Sequence, residues 1–153
     1  MVNIAKITKK RLGELLVSEG LITNEQVQEA LQEQKKSGTL LGETLVSLGY
    51  VTEFDIAGAI AAQFGLPYID SSKYIVTKEV FDLIPLDFMK QNQLIPLDKI
   101  GSIINIAVSG PLSEKVFEEV EKSTGCEAYL FVSTASQIRK VIDDNCGASD
   151  KKK

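Results

Sequence analysis

Histidine is missing from this chain of 153 residues. Its absence excludes Ser–His and Cys–His nucleophile pairs and removes the side chain that most often binds transition metals in proteins. The two cysteines, Cys126 and Cys146, are too far apart for a CxxC zinc or redox motif. Either a disulfide or two reduced thiols would fit this pair, and reduced thiols are favoured in a cytosolic chain.

Long apolar runs are also missing, since no segment approaches the ~18 residues of a membrane-spanning helix. The lysines near the N-terminus are not followed by the apolar segment of a secretory signal, so the sequence predicts a cytoplasmic location. There is no GxxxxGK[ST] motif to hold a triphosphate. Without an assignable nucleophile, base or metal cluster, the sequence predicts no catalytic residues, no metal-binding residues and no enzymatic activity.

Basic residues are too few for a general nucleic-acid binder. The chain carries a net charge of −4, of which the last seven residues contribute +2, so residues 1–146 carry −6. Such an acidic body argues against DNA or RNA as a partner, because that binding depends on neutralising many phosphates. The lysine-ended segment 147–153 is predicted to be a solvated, disordered tail.

An internal repeat organises the first half of the chain. Residues 11–34 read RLGELLVSEGLITNEQVQEALQEQ, and residues 40–63 read LLGETLVSLGYVTEFDIAGAIAAQ. The copies are offset by 29 residues and are identical at ten of 24 aligned positions. In each copy, apolar residues at helical spacing lie on both sides of a glycine, Gly20 or Gly49, which predicts a helix–turn–helix unit. We therefore expect four short helices in two similar pairs.

The second helix of each copy has a predicted N-cap, Thr23 in the first copy and Thr52 in the second. Gln26 follows Thr23 at the spacing of a capping box. Asp55 occupies the same place after Thr52, where we expect it to act on the helix dipole rather than to complete a strict capping box.

The second half predicts a small sandwich of helices on one sheet of antiparallel type, which makes the chain an α+β protein. The order α–β–β–α–β–α comes from the segments Lys78–Ile84 with Leu86–Gln91, Leu94–Leu97, Ile103–Val108, Leu112–Lys122, Glu127–Val132 and Thr134–Asp144. The segment 109–113 between a strand and a helix is interpreted as a connection rather than a phosphate site. We expect an N-terminal extension (1–9), the tandem helical repeat (10–65), the α+β subdomain (66–146) and the tail (147–153).

Several residues of the repeat have two interpretations. Gly13 and Gly42 lie inside helices at a cost of about 1 kcal/mol each. Close contact between the two copies would offset this cost, as would close approach of a ligand to the backbone, and the patterning favours the contact. Gln34 and Gln63 suit either a nucleobase edge or a helix end facing water. Arg11 suits either a guanine or a solvated position at a helix start.

The repeated pattern RLGxxLVxxGLIxxxxVxxxLxxQ, with its second copy LGxxLVxxGYVxxxxIxxxIxxQ, resembles a known family. It is similar to the N-terminal domain of type II secretion and type IV pilus assembly ATPases, in particular the MshEN-type domain that binds cyclic di-GMP. The segment 104–111 resembles the strand-to-helix signature of the same domain. The resemblance extends from about Lys10 to Asn145 and implies a non-enzymatic regulatory module with cyclic di-GMP as its ligand.

The resemblance also implies a role for each matching residue. Arg11 would contact a guanine, and the backbone at Gly13 and Gly42 would approach the ligand. Gln34 and Gln63 would add polar contacts. An apolar floor would come from Leu12, Val27, Leu31, Leu41, Ile56 and Ile60.

One departure from the pattern lies at the start of the second copy, where Leu40 replaces a basic residue. The alternative implied by the family is a protein-interaction adaptor that docks secretion or pilus machinery at the inner membrane without binding nucleotide. Platform and ATPase proteins of those machines would then be its partners, and the chain would be peripheral to the membrane through them.

Overall fold

The computed structural model describes residues 12–150. The tandem repeat forms four short helices, α1 (Leu12–Ser18), α2 (Asn24–Ser37), α3 (Leu41–Ser47) and α4 (Glu53–Phe64). Gly20 and Gly49 follow the first helix of each copy with φ of +77° and +80°, a left-handed conformation that glycine adopts without steric cost. The predicted pair of helix–turn–helix units is therefore confirmed.

Both predicted N-caps are present, and the prediction for Asp55 is corrected. Thr23 accepts a hydrogen bond from the Gln26 N–H (3.2 Å), and the Thr23 N–H donates to Gln26 Oε1 (2.9 Å). In the second copy the Asp55 N–H donates to Thr52 Oγ1 (3.0 Å), and the Thr52 N–H donates to Asp55 Oδ2 (2.9 Å). Asp55 thus completes a capping box, because its shorter side chain still reaches back to the N-cap.

The remaining residues form the predicted α+β arrangement, and the α+β class is confirmed. A 3₁₀ turn at Ser71–Lys73 precedes the helices and strands of this part. These are α5 (Lys78–Phe81), α6 (Leu86–Asn92), β1 (Leu94–Ile100), β2 (Ile103–Val108), α7 (Glu114–Thr124), β3 (Glu127–Val132) and α8 (Ala135–Asp150).

The three strands lie in the order β1–β2–β3, and the expected antiparallel character holds for only one pair. β1 and β2 form an antiparallel hairpin across the turn at Gly101, whereas β2 and β3 are parallel, with Ile103 opposite Glu127. The parallel pair follows from the connection through α7, because a helical crossover returns the chain to the same end of the sheet.

Several boundaries differ from those predicted. Helix α5 ends at Phe81 and not at Ile84, and strand β1 continues to Ile100, beyond the predicted end at Leu97. Helix α7 begins at Glu114 and not at Leu112, because Ser113 is its N-cap and accepts a hydrogen bond from the Val116 N–H (3.2 Å). Helix α8 continues to Asp150, beyond the predicted end at Asp144 and into the segment expected to be a tail.

The segment after α4 attaches the repeat to the sheet. The Ile69 N–H donates to the carbonyl of Val132 (2.9 Å), and the Val132 N–H donates to the carbonyl of Pro67 (2.8 Å). Buried apolar residues of the repeat, such as Leu45 and Ile60, belong to the same hydrophobic cluster as Ile104 of β2. The two halves of the chain therefore share one core. None of the helices within residues 12–150 has the length and apolar character that crossing a bilayer requires.

Candidate ligand-binding cleft

The two glycines inside the repeat helices lie at the contact between the copies. A β-carbon placed on Gly13 would lie 3.1 Å from Val27 Cγ1 and 3.5 Å from Leu41 Cδ2. A β-carbon on Gly42 would lie 3.3 Å from Leu12 Cδ2 and 3.6 Å from Ile56 Cδ1. Each glycine thus meets the leucine that begins the first helix of the other copy, and an apolar residue from the second helix of its own copy. This reciprocal packing is the contact that the sequence pattern favoured.

A cleft of about 920 Å³ lies between the repeat and the α+β part. Its volume is within the range of small-molecule sites in proteins. One wall comes from the repeat and includes six residues that the sequence singled out: Leu12, Leu31, Gln34, Leu41, Gly42 and Ile56. Four of these are apolar side chains, Gly42 offers backbone, and Gln34 offers an amide that can both donate and accept.

The facing wall comes from the α+β part. It includes residues 91–93 at the end of α6, residues 109–114 between β2 and α7, and residues 134–136 at the start of α8. Gln93 has a left-handed backbone with φ of +50°, and its side chain accepts a hydrogen bond from Ser109 Oγ (2.8 Å). The segment 109–113, interpreted from sequence as a connection, is thus also part of the cleft wall.

Two carboxylates of the second copy reach across to α8. Glu53, the first residue of α4, accepts hydrogen bonds from the Ser136 N–H (2.6 Å) and from Ser136 Oγ (2.5 Å). Glu43 of α3 forms an ion pair with Arg139, whose side chain is 50% exposed. The carboxylate of Glu53 therefore accepts a hydrogen bond from an N–H group that has no partner within α8. This N–H lies at the N-terminus of the helix, where the helix dipole favours negative charge.

The charge of the cleft is uneven. Among the described residues that line it, Glu43, Glu53 and Glu114 are acidic, and Arg139 alone is basic. Sequence reasoning did not single out Arg139, because no motif marks it and its partner Glu43 is 96 residues away along the chain. Within residues 12–145, no group of three or more His, Cys, Asp or Glu side chains is placed to hold a metal ion.

The other residues that the sequence singled out lie away from the cleft or outside the described residues. Val27 packs behind Gly13, and Ile60 is 1% exposed in the core. The Gln63 amide donates a hydrogen bond to Glu19 (2.6 Å) and does not line the cleft. Arg11 lies outside the described residues.

The family model described as the MshEN domain matches residues 64–151, which is more than half of the chain. The chain is also similar to two type IV pilus assembly ATPases named PilB. That of Myxococcus xanthus is 29% identical over 133 residues, which cover 87% of this chain and 24% of the relative. That of Thermus thermophilus is 33% identical over 137 residues, which cover 88% of this chain and 15% of the relative. The chain thus spans less than a quarter of the length of these relatives.

Solved structures extend the similarity to the repeat. A structure of MshE with cdg is 30% identical in sequence and superposes with a TM-score of 0.64. The match covers 90% of this chain and 99% of the MshE chain. Such coverage leaves about 15 residues unmatched, so most of the tandem repeat is included. The N-terminal domain of XpsE covers 87% of this chain and 92% of its own, with a TM-score of 0.65 and 24% identity, which supports a shared fold.

Proposed function

Because the chain belongs to the MshEN domain family, we propose that it is a non-enzymatic regulatory module that binds cyclic di-GMP in the cleft between the repeat and the α+β part. The observation that carries this proposal is the similarity to MshE with cdg over 90% of the chain, cdg being read as cyclic di-GMP. Six of the residues to which the family resemblance assigns a role share this one cleft, which also supports the proposal.

The cleft offers chemistry that suits this ligand. Cyclic di-GMP has two guanine bases and two phosphodiester groups, so it needs apolar faces, hydrogen-bonding groups and positive charge. Leu31, Leu41 and Ile56 provide an apolar floor on which a purine would pack. Gln34 lines the cleft and is half-buried, and its amide matches the mixed donors and acceptors of a guanine edge. Arg11 would add a bidentate contact to guanine O6 and N7.

In this proposal the chain regulates and does not catalyse. The PilB relatives are named ATPases, but this chain corresponds to 24% or less of their length. The reactions of those whole proteins are therefore not assigned to it. It would act in the cytoplasm, peripheral to the inner membrane where its partners lie.

Isothermal titration calorimetry of the purified protein with cyclic di-GMP tests the proposal directly. We expect saturable binding with one site per chain, and no heat of binding at high micromolar ligand would overturn the proposal. Arg11→Ala should weaken binding by about 1–3 kcal/mol with little change in the melting temperature. Arg11→Lys should restore only part of this loss, because an ammonium group lacks the planar fork of a guanidinium.

The two repeated glutamines provide a matched pair of variants. Gln34 lines the cleft, whereas Gln63 donates to Glu19. Gln34→Ala should therefore raise the dissociation constant severalfold, and Gln63→Ala should change it little. Equal losses in the two variants would place the ligand symmetrically over both copies of the repeat instead of in this cleft.

Leu31→Ala tests the apolar floor, since Leu31 lines the cleft and is half-buried. The variant should lose affinity and also about 1–2 kcal/mol of stability, because the side chain contributes to packing as well as to the ligand surface. Calorimetry and urea unfolding of the same preparation would separate these effects. A stability loss with unchanged affinity would remove Leu31 from the site.

The similarity to the two pilus assembly ATPases favours a second candidate function. In it, the chain docks a pilus or secretion ATPase on a platform protein of the inner membrane without nucleotide. A pull-down that recovers the cytoplasmic segment of such a platform protein, equally with and without cyclic di-GMP, would support this function. Recovery of no component of the machinery would count against it.

A further inference from the structure

The second copy of the repeat lacks a positive charge that the first copy has. The first copy begins with Arg11, and the residue 29 positions later is Leu40. Leu40 lines the cleft but offers only an apolar side chain. The proposed function assigns Arg11 to a guanine, and cyclic di-GMP carries two negatively charged phosphodiester groups. The phosphate beside the second copy therefore needs a cation from elsewhere in the fold.

The α+β part places a guanidinium at this position. Arg139 of α8 lines the same cleft as Leu40 and forms an ion pair with Glu43, three residues after Leu40. The ion pair is 50% exposed on the arginine side and 32% exposed on the glutamate side, so solvent and a ligand can both reach it. A guanidinium has five N–H donors, and a single carboxylate leaves several of them free.

The donors of Ser136, which lies near Arg139 at this end of α8, are already taken. The N–H and hydroxyl groups of Ser136 both donate to Glu53. The guanidinium of Arg139 is therefore the strongest group on this wall for binding an anion.

We propose that Arg139 binds a phosphate of the ligand and so supplies, from the α+β part, the cation that the second copy of the repeat lacks. Glu43 is its counter-ion when the cleft holds no ligand, and the phosphate competes with Glu43 for the guanidinium. This inference rests on the proposed function, because it assigns a further contact to the cyclic di-GMP site.

Calorimetry of the full chain with cyclic di-GMP gives the first test. Arg139→Ala should raise the dissociation constant roughly 10- to 100-fold, as expected for loss of a charge-assisted hydrogen bond. Arg139→Lys should recover part of the affinity, because it keeps the charge but not the bidentate geometry. Binding by the alanine variant should also depend less steeply on salt than binding by the wild type.

Lys140 provides the matched control. It is the next residue of α8, it pairs with Asp144 on the same helix, and it does not line the cleft. Lys140→Ala should leave the dissociation constant unchanged, although it removes the same charge from the same helix. A loss equal to that of Arg139→Ala would show that only the overall charge matters and would overturn the inference.

Glu43→Gln separates ligand binding from a purely structural contact. If Arg139 binds phosphate, removing its competitor should lower the dissociation constant a few-fold, while Arg139→Ala raises it. If the ion pair only holds α8 against the repeat, the two variants should weaken binding alike and lower the melting temperature alike, which would overturn the inference.

The wild-type titration distinguishes failure of this inference from failure of the proposed function. A wild-type protein that does not bind cyclic di-GMP would overturn both. A wild-type protein that binds it, with unchanged affinity in Arg139→Ala, would overturn the role of Arg139 alone and leave the cyclic di-GMP site in place.

Discussion

Gly13 and Gly42 occupy equivalent positions in the repeat, but the side chains around them differ in stiffness. The nearest atom to a β-carbon on Gly13 would be a γ-methyl of Val27, inside helix α2. A valine in a helix has essentially one χ1 rotamer, so this methyl group cannot move away easily. The nearest atom to a β-carbon on Gly42 would be a δ-methyl of Leu12, the first residue of α1. The side chain of Leu12 can rotate and move this methyl group away. Equal sequence positions thus have unequal tolerance for a side chain.

Alanine substitutions at three helical glycines should therefore give different stabilities. Gly13→Ala should destabilise the protein by about 1 kcal/mol, because crowding against Val27 outweighs the gain in helix propensity. Gly58→Ala should stabilise it by about 0.5–1 kcal/mol, since no atom lies within 4 Å of its added β-carbon. Gly42→Ala should fall between them. Urea unfolding measures all three, and a stabilised Gly13→Ala would contradict the packing assignment.

At the scale of helices and strands, short helices are held by specific end contacts. α4 contains 12 residues and α2 contains 14, lengths at which an isolated helix is marginal in water. Capping boxes at both N-termini and left-handed glycines at both C-termini, Gly38 and Gly65, supply hydrogen bonds to groups that the helix itself cannot satisfy. The same scheme in both copies explains why they fold alike despite differing at 14 of their 24 aligned positions.

Substitutions of Asp55 test whether it acts through its hydrogen bond or only through its charge. Asp55→Ala should lower the free energy of unfolding by about 0.5–1 kcal/mol, because the Thr52 N–H loses its acceptor. Asp55→Asn should cost clearly less, since the amide oxygen can still accept that bond. Urea unfolding gives both values. If asparagine and alanine cost the same, the helix dipole alone explains the acidic residue.

A hydrogen bond between the copies should make stability depend on pH. Tyr50 donates to Glu29 of α2 (2.7 Å), and this bond raises the pKa of the phenol above its ordinary value of 10.0. A raised pKa in the folded state means that the stabilisation is fully present below pH ~10 and is lost as the pH rises through the folded pKa. Near neutral pH, the urea midpoint of the wild type should therefore be higher than that of Tyr50→Phe. This difference should disappear at a pH above the folded pKa of Tyr50. A difference independent of pH would exclude this bond as its source.

At the scale of the whole molecule, the repeat and the α+β part share one hydrophobic cluster. Leu45 of α3 is fully buried in it, as is Ile104 of β2. Backbone hydrogen bonds between the segment after α4 and Val132 of β3 add a second connection between the two parts. A shared core predicts cooperative unfolding, because neither part can lose its packing without exposing apolar surface of the other.

We therefore expect one unfolding transition for the chain. The backbone amide signals of Ala30 in α2 and Ala128 in β3 should disappear along the same urea curve when followed by NMR. Leu45→Ala should shift both curves together by about 2–5 kcal/mol, although it lies only in the repeat. Separate transitions, or a shift confined to Ala30, would show that the two parts fold independently.

The amino-acid sequence alone determined the features that depend on neighbouring residues. Its apolar periodicity, its capping threonines and its glycines predicted four helices of the repeat, and its alternation predicted all three strands near their observed bounds. Through its resemblance to the MshEN-type domain, the repeated motif also singled out six of the residues that line the cleft. These signals are readable because the interacting residues lie within a few positions of each other.

Only the tertiary structure decided how these elements meet. The parallel pairing of β2 with β3 depends on the path of α7, and no residue within either strand encodes it. The facing wall of the cleft brings Glu53 to Ser136 and Glu43 to Arg139 across 83 and 96 residues of chain. Contacts at that separation leave no periodic pattern in the sequence. Taken alone, each of these side chains is a charged or polar residue of the kind found on any exposed helix face. The positive charge of the cleft was therefore hidden until the fold placed α8 against the repeat.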